Sequence, residues 1–175
     1  MRIPDETDYD LIWSASRVPG FNDGMQWGPP SSKDELLLPL KRSLKAWDEG
    51  IGFTFTIESK KENEQRLGRI SIRKTVVEEV WNIGYWTHPD HQSMGVMTEA
   101  VARILEFGFI QLESEAITAY TTIWNKASEK VLLKNRFTFS RYIEKGIKKK
   151  GQWLPENEYT ITRNKWSVIN GGDGS

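Results

Sequence analysis

The chain contains no cysteine. That removes disulfides, thiolate metal sites and a cysteine nucleophile together. It has only two histidines, His88 and His91, close together in one loop, which leaves little for a zinc site, and no metal is expected. It has no net charge, with 24 basic against 24 acidic residues, so no global field favours nucleic acid or an anionic membrane. No apolar run reaches membrane-spanning length, and the start, Met1-Arg2-Ile3-Pro4-Asp5-Glu6, lacks the apolar stretch of a signal peptide. These absences together point to a cytoplasmic protein without a nucleic-acid or membrane partner. What remains is an ordinary globular composition over 175 residues, long enough for one well-buried domain, with eight tryptophans, many for this length.

Apolar residues at helical spacing (Tyr9, Ile12, Trp13, with Ala15 and Val18 nearby) predict a first helix over Asp5 to Arg17. Val18 to Pro30 is broken by three glycines and three prolines and reads as a loop punctuated by Phe21 and Trp27. Ser31 or Ser32 caps a second helix, with Glu35 as capping-box partner, that runs to Glu49 before Gly50. Phe53 to Glu58, Leu67 to Thr75 and Val80 to Thr87 alternate as antiparallel strands, the first turn falling on Ser59 to Gln65. Thr98 to Leu112 is a helix, Ala116 to Trp124 a β-branched strand and Asn125 to Asn135 another helix. Phe137 to Ile143 and Glu158 to Arg163 close the sheet as a pair joined across Lys148 to Gly151. One domain over residues 1–166 is expected, followed by a disordered tail over 167–175.

The most informative stretch is Gly84 to Phe109, where an aromatic strand enters the polar loop Asp90-His91-Gln92-Ser93-Met94-Gly95 and a helix starts at once. The first N–H groups of a helix lack internal partners and carry the positive end of its dipole, so the block is built to hold phosphate without a basic side chain. Gly95 lets the backbone approach a ligand or take a positive φ, and Thr98 adds a hydroxyl. No lysine follows Gly95 as a Walker A loop would need, and one glycine does not make a dinucleotide fingerprint.

Gln92-Ser93-Met94-Gly95-Val96-Met97 resembles the pyrophosphate loop of the GNAT superfamily of acyl-CoA-dependent N-acetyltransferases, [RQ]-x-x-G-x-[GA]. The flanks Ile83-Gly84-Tyr85-Trp86, His88-Pro89-Asp90 and Thr98-Glu99-Ala100 make it similar to the RimJ/RimL-type branch, which acetylates protein N-termini and other amines. The resemblance is specific over roughly residues 70–166. It implies an α+β fold: a single GNAT domain with a central, mixed, mostly antiparallel sheet flanked by helices. The family's opening strand is reduced here to Met1-Arg2-Ile3-Pro4, so that strand is expected to be nearly absent or truncated.

The same resemblance implies site roles. Acetyl-CoA is the expected co-substrate, held by main-chain groups of Gln92, Ser93, Met94, Gly95, Val96 and Met97, with the Thr98 hydroxyl beside them. Met97, standing where Gly or Ala is commoner, is expected to tighten the entrance. Tyr85, Trp86 and Thr87 lie beside the pantetheine arm, where this strand splays from the next. Asn125 and Ser128 match the family's N-x-x-[SA] element, Asn125 toward the pantetheine carbonyl and Ser128 near the thioester sulfur; Asn125 reads equally as a helix N-cap. The tyrosine that many members place four residues later is Leu132 here, which makes Ser128 the leading proton donor to the thiolate. The glycine of K-x-G-F is replaced by Arg136, read either as a 3′-phosphate contact or as a solvated arginine. No acid stands near Gly146-Ile147-Lys148, where RimL-type proteins often carry one, leaving Glu144, Glu79 and Glu78 as base or substrate-binding candidates, each of which also reads as a solvated edge or turn. His88 and His91 are assigned a structural role.

Phe21 to Pro30, with Trp27, and the hairpin Gln152 to Tyr159, with Trp153, are expected on the acceptor side, where as structure alone both tryptophans read as core or lid residues before specific ligands. The acceptor is a primary amine, first a protein N-terminus, with a small-molecule amine or a non-catalytic acyl-CoA-binding module as alternatives. The protein is expected to be a monomer or homodimer.

Overall fold

The computed structural model describes residues 1–60 and 65–171. The chain begins with one isolated bridge, Arg2 opposite Thr56, in place of a full opening strand. A 3-10 turn capped by Asp5 leads into α1 (Tyr9–Arg17), and a second such turn leads into α2 (Leu37–Asp48). Glu35 accepts from the Ser31 N–H at 2.9 Å, but the N-cap is Ser32 and its side chain makes no cap hydrogen bond, so the expected capping box is not formed. Three antiparallel strands follow, β1 (Gly52–Glu58), β2 (Arg66–Lys74) and β3 (Val80–Thr87). The expected turn over Ser59 to Gln65 falls largely outside the described residues, although the Ser59 N–H donates to the Gln65 carbonyl across it.

Helix α3 (Val96–Glu106) ends in a π-helical turn, and β4 (Ala116–Thr122), α4 (Lys126–Lys134), β5 (Thr138–Lys149), β6 (Gln152–Thr162) and α5 (Arg163–Asn170) complete the chain. Among the described residues the sheet has order β1-β2-β3-β4-β6-β5, with β3 and β4 as its parallel pair. This is the expected α+β arrangement. Two further expectations need correction. The last hairpin is longer than Phe137–Ile143 and Glu158–Arg163, because β5 absorbs a bulge at Ile143/Ile147 and the turn is made tightly by Lys150 and Gly151, both at positive φ. The tail expected from residue 167 is helical as far as Asn170, because the Thr162 side chain caps α5 and Trp166 stacks on Phe109.

The sheet's two faces have different covers. Trp81, Ile83, Ile117, Ala119, Tyr159 and Ile161 point to one face, where Val101, Ile104, Leu105 and Phe109 of the α3 segment and Leu132 of α4 bury them. Each such aliphatic side chain stabilises the fold by about 1.5–3 kcal/mol. The other face, carrying Asn82, Trp86, Thr118, Thr122 and Glu156, meets α1 and the loop after it. There the fully buried Asp8 accepts from Arg2 at 2.7 Å and from the Thr56 hydroxyl at 2.7 Å, with Arg66 at 3.1 Å, so its charge is compensated and α1 is anchored to the sheet.

Candidate active site

Parallel pairing of β3 with β4 runs from Val80 opposite Ala116 to Ile83 opposite Ala119 and stops there. Beyond it, Gly84–Thr87 stays paired only with β2, and Tyr120–Thr122 only with β6. The upper halves of two central strands thus separate, leaving β3 without a strand partner on that edge among the described residues. The loop at the head of the opening carries Ser93 at φ 62° and Gly95 at φ 80°. Gly95 is the residue before α3, with no side-chain cap, and the first helical bond is Glu99 N–H to Gly95 carbonyl. The N–H groups of Met94 to Thr98 therefore find no acceptor among the described residues and face outward together. A side chain at Gly95 would meet nothing within 4 Å, so the cradle is open where a pyrophosphate would rest. Met97 departs from expectation: its side chain is buried in the core against the sheet and does not narrow the entrance.

On the helical face of the opening, the Tyr85 phenol lies 3.0 Å from the Ser128 hydroxyl and 3.2 Å from the Ser128 carbonyl. Burial raises the Tyr85 pKa and outweighs the opposing hydrogen bond from Ser128, so the phenol stays protonated. Asn125 caps α4 by accepting from the Ser128 N–H at 3.1 Å, a bond that uses its Oδ1 and not its amide NH2. Leu132 is fully buried, confirming that no side chain there reaches the opening. Arg136 is exposed at φ 64°, the glycine conformation kept without the glycine.

The opposite face holds three rings, Phe21, Trp27 and Trp86, with centroids 5.9, 5.4 and 6.4 Å apart and mutually inclined. Sequence reasoning missed Glu156. It stands directly across from Thr122 at the top of β4, so their side chains emerge side by side, and it packs on Gly146, where a Cβ would come within 2.7 Å of it. It is half-buried, with no hydrogen-bond or ion-pair partner among the described residues, and burial raises its pKa. Thr122 Oγ1 is also buried without a partner. Its signal in the sequence is an acid between Pro155 and Asn157 with Gly146 on the neighbouring strand, but the two short strands expected there stop before they bring these residues together.

Other predicted residues are not brought here. Glu78 and Glu79 are exposed below Val80, at the closed end of β3, about 25 Å of strand from the cradle. Glu79 holds φ 59° and its carbonyl starts β4 by accepting from Glu115 at 2.8 Å. Glu144 is exposed in the β5 bulge. Trp153 is half-exposed beneath the Lys148 ammonium and away from the three rings. His88 is buried; its Nδ1 accepts from the Asp90 N–H, so Nε2 donates to Ser14 Oγ, and burial lowers its pKa and keeps it neutral. Both nitrogens are occupied in fixing the loop.

A sequence profile described as "Acetyltransferase (GNAT) domain" matches residues 1–138. An uncharacterized N-acetyltransferase, YnaD, of Bacillus subtilis (strain 168) is 30% identical over 101 residues, which span 58% of this chain and 59% of that relative. A GNAT-family acetyltransferase from Bacillus anthracis superposes with a TM-score of 0.82 at 19% identity, covering 93% of each chain. RimL, a ribosomal-protein α-N-acetyltransferase solved with coenzyme A, gives 0.83 at 17% identity over 94% of this chain and 93% of that one. A spermidine N-acetyltransferase from Vibrio cholerae, solved with CoA and spermine, gives 0.79 at 16% identity over 94% and 95%. These likenesses carry the fold, and with the profile spanning most of its length the chain belongs to the GNAT acetyltransferase family.

Proposed function

We propose that the chain transfers an acetyl group from acetyl-CoA to a primary amine by direct attack in a ternary complex. The observation that supports this is the separation of β3 from β4 immediately below an uncapped helix start. Met94 to Thr98 hold the pyrophosphate through main-chain N–H groups, the Gln92 N–H being taken by the Pro89 carbonyl at 3.3 Å; Tyr85 to Thr87 and Asn125 lie along the pantetheine arm, and acetyl-CoA supplies the activated thioester. The two faces of the sheet then divide the proton work. Glu156 removes a proton from the incoming ammonium on the aromatic face, assisted by Thr122 Oγ1. The amine nitrogen bonds to the thioester carbon, the C–S bond breaks, and the nitrogen gives up its second proton, which ends on the departing thiolate; Ser128 on the helical face, oriented by Tyr85, donates a hydrogen bond to that sulfur as it leaves.

A protein N-terminus is the first acceptor reading, from the pattern of the flanks around the loop. A small amine is the second, favoured by the ring-walled cover of Phe21, Trp27 and Trp86. The chemistry suits a cytoplasmic setting with acetyl-CoA at hand, and among the described residues no helix is long and apolar enough to cross a membrane. Calorimetric titration with acetyl-CoA, followed by mass spectrometry of a mixed panel of peptides, polyamines and aminoglycosides, tests the whole. Micromolar binding and acetylation of one class are expected. Binding without turnover of any amine would establish a non-catalytic acyl-CoA module instead.

A further inference from the structure

The loop between α1 and α2 carries Phe21 and Trp27 and is tied to the sheet at one place. Lys149, the last residue of β5, inserts its ammonium among three main-chain carbonyls of that loop, those of Met25 at 2.7 Å, Trp27 at 3.1 Å and Asn22. Three converging carbonyls match the three N–H donors of an ammonium. Among the described residues no other hydrogen bond joins residues 18–30 to the sheet; the rest are turn bonds inside the loop and one from Arg17 to Pro30. Beneath the clamp, Gly24 rests on Thr122, where a Cβ would lie 3.1 Å from Oγ1, and Phe21 and Trp27 close on Trp86.

We propose that Lys149 is the latch that holds the α1–α2 loop over the acceptor face, and so a positioning residue for the amine acceptor. It rests on the reading of that face given above. Partial desolvation of the ammonium lowers its pKa, with Asp23 opposing the shift and Lys150 adding to it. Its carbonyl partners set Trp27 and Asn22, and the Asn22 Oδ1 is buried without a hydrogen-bond partner among the described residues. The acceptor site is thus assembled by the β5–β6 turn, remote in sequence from both the cradle and the thioester.

The test compares the full chain with Lys149→Met, which keeps the apolar stem, and Lys149→Arg, which keeps the charge in a planar fork ill-matched to three converging carbonyls. Hydrogen exchange in residues 20–27 should speed up about tenfold or more in the Met variant, while residues 92–98 exchange as in wild type. For an amine found in the panel, its KM should rise by about tenfold with KM for acetyl-CoA within about twofold, and Arg should fall between. Equal exchange in residues 20–27 of all three proteins overturns the latch whether or not any amine turns over. Parallel rises in both KM values overturn the positioning role. A wild type that acetylates nothing overturns the proposed function, and the exchange comparison still decides the latch.

Discussion

At its lower end β3 is locked to β4 through the pairs Val80 with Ala116 to Ile83 with Ala119; at its upper end the same two strands part, and each keeps only its outer neighbour. Charged groups sit at both ends, yet their surroundings differ. Glu78 and Glu79 are solvated at the closed end, whereas Glu156 is desolvated and uncompensated beside the opening. An acid becomes useful as a base where burial lifts its affinity for a proton toward working pH and a reacting group can reach it. The lesson is that the end of a strand pair, and not the presence of a carboxylate at a strand mouth, decides which acid is chemical.

Gly95→Glu should have the largest effect. It places a carboxylate where pyrophosphate charge must sit and a side chain on a φ of 80°, and acetyl-CoA affinity should fall at least about 100-fold by calorimetry. A variant that still binds within tenfold would mean the nucleotide lies elsewhere. Glu156→Gln comes next, with kcat lowered about 100-fold and acetyl-CoA affinity retained. The sign of the pH dependence follows from the raised pKa: below it Glu156 is protonated and cannot accept, so wild-type activity falls as pH drops through a value above that of an ordinary glutamate. That acid limb should vanish in the variant. Glu79→Gln and Glu144→Gln should leave kcat within about twofold. If Glu79→Gln proves the damaging one, the contrast between the two ends of β3 is wrong.

Ser128→Ala should lower kcat about tenfold with KM for acetyl-CoA little changed, because the hydroxyl acts on the leaving thiolate and Asn125 still caps α4 through the Ser128 N–H. Tyr85→Phe should reproduce part of the loss, since the phenol orients that hydroxyl from 3.0 Å. A larger loss in Tyr85→Phe than in Ser128→Ala would make the phenol itself the donor to sulfur.

The cradle, α4 with its Asn125 cap and the three-strand run before them were legible in the sequence, because each is a local pattern: polar loop into helix, side-chain cap, period-two alternation. The parting of β3 and β4 came only from resemblance, since register between strands some thirty residues apart leaves no local trace. Glu156 and Lys149 were lost for one reason. Glu144 to Asn157 mixes charges, Gly146 and Pro155 and reads as the connection between two short strands, whereas cross-strand pairing and the clamp on the α1–α2 loop make most of it strand. The proposed base lies near Gly146 in space, across the hairpin on Glu156.

The smallest effects come from the two non-glycine residues that hold left-handed backbone at either end of this unit, Glu79 at φ 59° and Ser93 at φ 62°. Glycine at either site removes a cost of about 1 kcal/mol and restores part of it through the freer unfolded chain. Glu79→Gly and Ser93→Gly should therefore each raise Tm by no more than about 2–4 °C. Their consequences for function should also match, because Glu79 serves β4 through its carbonyl and Ser93 serves the cradle through main-chain groups. Acetyl-CoA affinity in Ser93→Gly should stay within about threefold of wild type by calorimetry. A larger fall would assign the Ser93 hydroxyl a direct part in holding phosphate, and the cradle would no longer be made of backbone alone.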